Sequence, residues 1–169
     1  GRFTNGMYGF LNILFKELDE EKPEYLAVAF DTKAPTFRHR QFAEYKGTRK
    51  GMPPELQGQV PLLKQVLDAM GIARFEQEGF EADDILGTLS ARGEADGLLP
   101  VVVSGDRDLL QLCSDTLKVK IPKTVKGQTT EETYYAADVV AKYGVTPREF
   151  IDMKALMGDA SDNIPGVPG

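Results

Sequence analysis

The stretch Leu99 to Leu112 reads LPVVVSGDRDLLQL: an unbroken apolar run, a Ser-Gly turn, two acids and a new apolar series. A short continuous apolar run bounded by turn residues is the pattern of a strand buried on both faces of a parallel sheet. Ligands in open α/β sheets bind beyond the carboxyl ends of the strands, and Asp106 and Asp108 stand at that position. Tyr25 to Phe30 (YLAVAF) repeats the pattern, with Asp31 at its end. Ile72 to Phe75 and Lys118 to Pro122 supply two further candidate strands.

Helical periodicity fills the intervals. Gly6 to Asp19 carries Tyr8, Leu11, Leu14, Phe15 and Leu18 at helical spacing, with Asn5 placed to cap it. Pro53 and Pro54 open a helix whose apolar stripe is Leu56, Val60, Leu63, Val66, Leu67 and Met70, and Gly71 ends it. Ala82 to Ala95 reads as a helix with Ile85, Leu86 and Leu89 inward; Arg107 to Cys113, Ala136 to Tyr143 and Thr146 to Met157 read as shorter ones. The basic stretch before Pro53 has weak periodicity and reads as a partly mobile loop, and Lys126-Gly127 as a turn or hairpin. The alternation predicts one α/β domain over residues 1–169, a three-layer αβα arrangement around a mostly parallel central sheet.

A chain of 169 residues suits a single domain, and 41% hydrophobic with 27% charged residues is the make-up of an ordinary soluble protein. No apolar run approaches the roughly 20 residues of a membrane span, so no membrane partner is expected. The single cysteine, Cys113, has no internal partner, which fits a reducing cytoplasm and excludes a thiolate metal cluster; it reads as a small buried apolar residue. The single histidine, His39, reads as solvated or phosphate-facing, and its solitude argues against zinc and against a histidine base. Neither a GxxxxGKS phosphate loop nor a GxSxG elbow occurs.

Acids are grouped at four places: Asp31; Glu81, Asp83 and Asp84; Asp106 and Asp108; Asp159 and Asp162. Each group has an ordinary structural explanation. Asp31 can cap a neighbouring element, Glu81 to Asp84 can favour a helix N-terminus, Asp106 and Asp108 can cap the next helix, and Asp159 and Asp162 can form a turn. The joint placement at strand ends and helix starts along one edge is a stronger signal than any part. Carboxylates that repel one another are tolerated together when cations hold them, and oxygen-only donors favour Mg²⁺ or Mn²⁺ and phosphate chemistry.

The net charge of −6 conceals segregation: with those eight acids set aside, 18 of the 26 remain against 20 bases. Arg38, Arg40, Lys46, Arg49 and Lys50 face only Glu44 between residues 38 and 50. A tyrosine ring at Tyr45 can stack on a base while Lys46 and Arg49, three apart, share one face of a helical turn and meet a phosphate; a solvated basic loop is the plainer alternative. Lys118, Lys120, Lys123 and Lys126 contribute nonspecific attraction to a duplex, or nothing.

The series AFD, EYKGTRKGMPPEL, GFEADDILGTL, VVVSGDRDLLQL and LMGDASDNIPGVPG closely resembles the 5′-nuclease domain at the N-terminus of bacterial DNA polymerase I, in the flap endonuclease family with its PIN-like fold. The resemblance covers essentially the whole chain. It implies a metal-dependent 5′ to 3′ exonuclease and structure-specific 5′-flap endonuclease on DNA, serving primer removal, replication and repair. By the same resemblance, Asp31, Glu81, Asp83, Asp84 and Asp106 surround a first Mg²⁺ or Mn²⁺ ion, and Asp108, Asp159 and Asp162 a second. Lys46 and Arg49 meet the scissile phosphate, Tyr45 an unpaired base, and Arg38 and Lys50 belong to the DNA-contacting segment. The implied reaction is in-line hydrolysis with the two ions about 3.5 to 4 Å apart.

The resemblance further implies a monomer, a bacterial cytoplasmic setting at the nucleoid, and a polymerase domain covalently linked in the parent protein. The family pattern also includes a first apolar strand ending in a metal-binding Asp and, after NIPGVPG, a helix-three-turn-helix element. Neither is in these 169 residues, so a fragment with poor metal occupancy and impaired cleavage is expected. Two other classes stay open: a phosphatase or topoisomerase-primase type of phosphoryl-transfer site, where an apolar strand also precedes a DxD, and a noncatalytic DNA-binding module with structural acids.

Overall fold

A computed structural model describes residues 4–168 apart from 126–127, with side chains outside 124–129. The expected Lys126-Gly127 turn and the Lys126 side chain lie outside the described residues. Helix α1 (Asn5–Glu21) leads to strand β1 (Ala27–Ala29), the short helix α2 (Phe37–Gln41), α3 (Pro54–Gln57), α4 (Gln59–Ala69), β2 (Ala73–Phe75) and α5 (Ala82–Ala95). Strand β3 (Val101–Val103), a 3-10 turn at Arg107–Leu112, the hairpin β4 (Lys118–Val125) and β5 (Gln128–Tyr134), then α6 (Ala136–Tyr143) and α7 (Pro147–Met157) complete it. The α/β alternation read from the sequence is the observed one.

The strands form two groups among the described residues. β1 and β2 pair in parallel, Val28 opposite Arg74, while β3 pairs in parallel with β4 and β4 antiparallel with β5. Helix α5 packs against both β1 and β3, spanning the two groups. β3 is shorter than its apolar run, and only Val102 is fully buried. β4 alternates with period two: Val119 and Ile121 enter the main core with Leu110, Leu117, Val139 and Phe150, while Lys118 and Lys120 point to the other face. Pro122 lies beyond the residues paired with β3, where no ladder bond to that strand is lost. Cys113 is buried in the same core, as its solitude indicated.

A second core joins α1, α4 and the β1–β2 pair through Leu14, Leu63 and Leu67, with Leu11, Leu18, Val28 and Phe30 against them. Several sequence expectations shift here. Asn5 is the first residue of α1 rather than its cap; Thr4 holds that position, and Asn5 Oδ1 accepts from Gln59 Nε2 (3.2 Å). Tyr8 and Phe15 face solvent, since the stripe that packs is narrower than the run of apolar residues. The helix expected from Pro54 to Met70 is broken at Gly58, because Pro61 has no N–H for the Gln57 carbonyl and its ring collides with that turn. Leu89 is 37% exposed instead of inward.

Candidate active site

The site is assembled by local capping. Glu81 is the N-cap of α5, and Asp84 Oδ2 accepts from the Glu81 N–H (2.9 Å), closing a capping box. Asp31, at the end of β1, accepts from the Ala82 N–H (2.8 Å), so it is pinned to the same helix start. Asp106 accepts from the Asp108 N–H (2.8 Å) at the head of the 3-10 turn. Asp159 accepts from the Ser161 N–H and hydroxyl (2.8 and 2.6 Å), inside a loop that a paired Asp159–Ile164 bridge closes. Gly158 and Gly166 permit that closure: a Cβ on Gly158 would lie 2.3 Å from the Gly166 nitrogen. The ordinary structural roles are therefore present, and they aim the acids.

Four of these acids converge. Burial, then Asp106, Asp31 and Glu81, push the Asp83 carboxyl up to about 6 against a small opposing effect of Lys46. Asp108 is raised by burial and, more weakly, by Asp106 and Asp159, with Lys154 opposing. Lys154 of α7 reaches Asp108 at 3.1 Å and Asp159 at 3.5 Å, linking two groups that lie 51 positions apart in the chain. No motif in the sequence marks Lys154; its place on the helix leading into the Asp159 loop is the one signal it carries.

Asp84 departs from expectation. Arg38 grips it with two hydrogen bonds of 2.8 Å, holding its carboxyl below the ordinary range, so it is committed to a cation and to the cap. Arg38, expected on DNA, is accordingly a clamp on α5, and its guanidinium also stands 4.5 Å over the Phe37 ring.

The basic segment is ordered by the acids. Lys46 Nζ meets Glu81 at 2.7 Å, and Arg49 pairs with Asp162 while donating to the Ser161 carbonyl (3.0 Å). Lys46 adopts φ 55°, a left-handed conformation costly for a side chain with a Cβ, and its N–H donates to the Asp162 carbonyl (2.9 Å). Asn163 Nδ2 donates to the Glu44 carbonyl (2.9 Å). Residues 43–48 thus form turns docked on the Asp159–Asp162 loop rather than a helical face.

Tyr45 corrects a second expectation. It is only 5% exposed, its hydroxyl donates toward Glu81 (3.0 Å) and Asp162 (3.1 Å), and its ring meets His39 edge-on. Burial, then those two carboxylates, raise its hydroxyl far above the usual phenol range, so Tyr45 is a structural tie and offers no face to a base. His39 accepts through Nδ1 from the Thr36 N–H (3.1 Å), capping α2. Lys50 is exposed, whereas Lys118 and Lys120 are paired with acids of α1.

A family model described as the 5′-3′ exonuclease, N-terminal resolvase-like domain matches residues 1–144. The chain belongs to that family. The exonuclease domain is 54% identical over all 169 residues to DNA polymerase I of Bacillus subtilis (strain 168) and 53% identical to that of Bacillus caldotenax. It spans about a fifth, 19%, of the length of each relative. Among solved structures it is similar to T5 5′-exonuclease with zinc bound (TM-score 0.75, 24% identity, 96% of this chain and 62% of that one). A bacteriophage T5 flap endonuclease in complex with DNA and metal ions is also similar (TM-score 0.72, 22% identity, 100% and 63%). These last two likenesses establish the PIN-like α/β fold, and the family establishes a nuclease.

The donor set of the exonuclease domain fits a divalent cation. Asp31, Glu81, Asp83 and Asp106 offer oxygens alone, and a cation among them would offset both the burial and the repulsion that raise Asp83. The cluster is open: among the described residues, only Glu17, Glu20 and Glu131 bring three carboxylate oxygens within 4.8 Å of one another. No helix of the described residues is long and apolar enough to cross a membrane.

Proposed function

We propose that this domain hydrolyses phosphodiester bonds of DNA at 5′ ends and 5′ flaps, using two Mg²⁺ or Mn²⁺ ions, as part of a longer protein that also carries a polymerase domain. The observation that carries the reading is the convergence of Asp31, Glu81, Asp83 and Asp106 beside Lys46 and Arg49. Asp31, Glu81, Asp83 and Asp106 would hold one ion, and Asp108, Asp159 and Asp162 would serve the second. When bound, the ions supply a lowered pKa for the attacking water and charge neutralisation at the leaving 3′ oxygen.

The chain's own cations do the positioning. Lys46 and Arg49 rest on Glu81 and Asp162 and line the same cleft, where their side chains would meet phosphate oxygens. Lys154 holds Asp108 and Asp159 together. Arg38 keeps the α5 N-terminus in register through Asp84.

The test is Mg²⁺-dependent cleavage of a 5′-flap DNA by the protein carrying this domain. Asp106→Ala should abolish cutting while flap binding persists, and Lys46→Ala should slow the single-turnover step more than it weakens binding. Hydrolysis of a simple phosphomonoester without DNA cutting would shift the assignment to the other phosphoryl-transfer classes.

A further inference from the structure

Two clefts adjoin at one phenyl ring. The first, about 320 Å³, is the polar cleft of the site, lined by Asp31, Lys33, His39, Lys46, Arg49 and Glu81, with Phe80 at its margin. The second, about 240 Å³, is lined by Phe80, Ile85, Leu89, Thr88, Gln77 and Asp84. Phe80 lines both, although it is 47% exposed.

The second cleft is firm and its floor carries no free charge. The Phe80 ring rests on Phe37 (centroids 5.9 Å apart, planes at 57°), and the Phe37 N–H donates to the Gly79 carbonyl (3.0 Å). Asp84 is neutralised by the Arg38 fork, and the Thr88 hydroxyl is spent on the Asp84 carbonyl (2.7 Å). What remains is an aromatic face, two aliphatic side chains and the Gln77 amide at the exposed rim. Such a surface suits the flat π-face of an unpaired base, whose polar edge can stay toward Gln77 and water.

We propose that this apolar cleft is a nucleobase subsite: one nucleotide of the substrate strand places its phosphate in the polar cleft and its unpaired base against Phe80. This rests on the reading of the site as a DNA nuclease. The apolar walls accept any base, so the subsite selects for an unpaired nucleotide rather than for sequence. Phe80 thereby takes the stacking role that the buried Tyr45 cannot fill.

The test is binding of a 5′-flap DNA to the protein carrying this domain, with 2-aminopurine placed in turn at each nucleotide near the junction, in Ca²⁺ or EDTA. One position should be quenched on binding. Phe80→Ala should remove the quench and weaken binding about 5- to 100-fold, and Phe80→Tyr should restore both. An abasic residue at that position should equalise wild type and Phe80→Ala. No quenched position, or an abasic flap bound as tightly as the intact one, overturns the subsite; this comparison uses wild-type protein and stands if Phe80→Ala misfolds. Cleavage of the same DNA in Mg²⁺ is scored separately: cutting without quenching sinks only the subsite, and quenching without cutting sinks only the nuclease reading.

Discussion

Two acidic clusters in this molecule contain similar groups and have opposite characters. Between α1 and the β4–β5 hairpin, Lys120 is buried among Glu17 (2.6 Å), Glu20 (3.1 Å), Glu21 (3.3 Å) and Glu131 (3.2 Å), and Lys16 also meets Glu131 (2.6 Å). At the ends of β1 and β3, Asp31, Glu81, Asp83 and Asp106 converge, and among the described residues the cations paired with them are the half-buried Lys46 (2.7 Å from Glu81), on a docked turn, and Arg38 (3.7 Å from Glu81). The first cluster carries its compensating charge inside: burial disfavours that charge, but Glu17, Glu20 and Glu131 hold it in place and keep Lys120 protonated, although Glu17 Oε1 and Glu131 Oε1 find no hydrogen-bond partner. The second is satisfied only in part. An acid cluster therefore indicates a cation site when its compensating cations lie outside it, and a structural joint when they lie within.

The largest expected effect is at the joint. Lys120→Met leaves Glu17 buried without its cation and Glu131 with Lys16 alone, and should cost about 3 to 5 kcal/mol in urea unfolding; a loss below about 1 kcal/mol would erase the distinction between the clusters. Next comes metal. Mn²⁺ should raise the unfolding temperature, approaching about 2.7 kcal/mol of stabilisation at 100 times Kd. Asp106→Asn should abolish that rise and Glu17→Gln should leave it intact. A rise that follows Glu17 instead would reverse the assignment.

The pH response sharpens the comparison further. Asp83 sits at about 6 against an ordinary 3.8, and burial with the Glu131 carboxylate pushes Glu17 up to about 7 from 4.5. Both groups hold a proton more tightly in the folded state, so their ionisation removes stability as pH rises from about 4 to 7. Without metal, Asp83→Asn should stabilise the domain by about 1 to 3 kcal/mol at pH 8, with the gain vanishing near pH 4. Added Mg²⁺ should shrink that gain by stabilising the wild type alone. The smallest effect is Arg49→Ala, which removes an exposed pair with Asp162 and should shift stability by less than about 0.5 kcal/mol in a urea titration.

Much of this was legible in the residues because it is local. The capping acids, the run at Val101–Val103 and the bounds of α5 and α6 follow from periodicity and from short-range hydrogen bonding, which a linear pattern records. Pro61 and its break in the helix were equally on view and were outweighed by the apolar stripe that runs through them. Exposure was less legible. Tyr8, Phe15 and Leu89 sit at core spacing yet face outward, since how much of a helix is covered depends on its neighbours.

By itself, the sequence determined the α/β alternation, the position of the acids at a strand end, a helix start or the turn after a helix, and the family. Tertiary structure alone decided the partners. It set Tyr45 between Glu81 and Asp162, Asp84 in the grip of Arg38, and Lys154 across Asp108 and Asp159. It also left Phe80 as the exposed aromatic between two clefts. The physical reason is range: capping and periodicity act over three or four residues, whereas a charge chooses its partner among all groups that folding brings within a few ångströms, such as Tyr45 and Asp162, 117 positions apart.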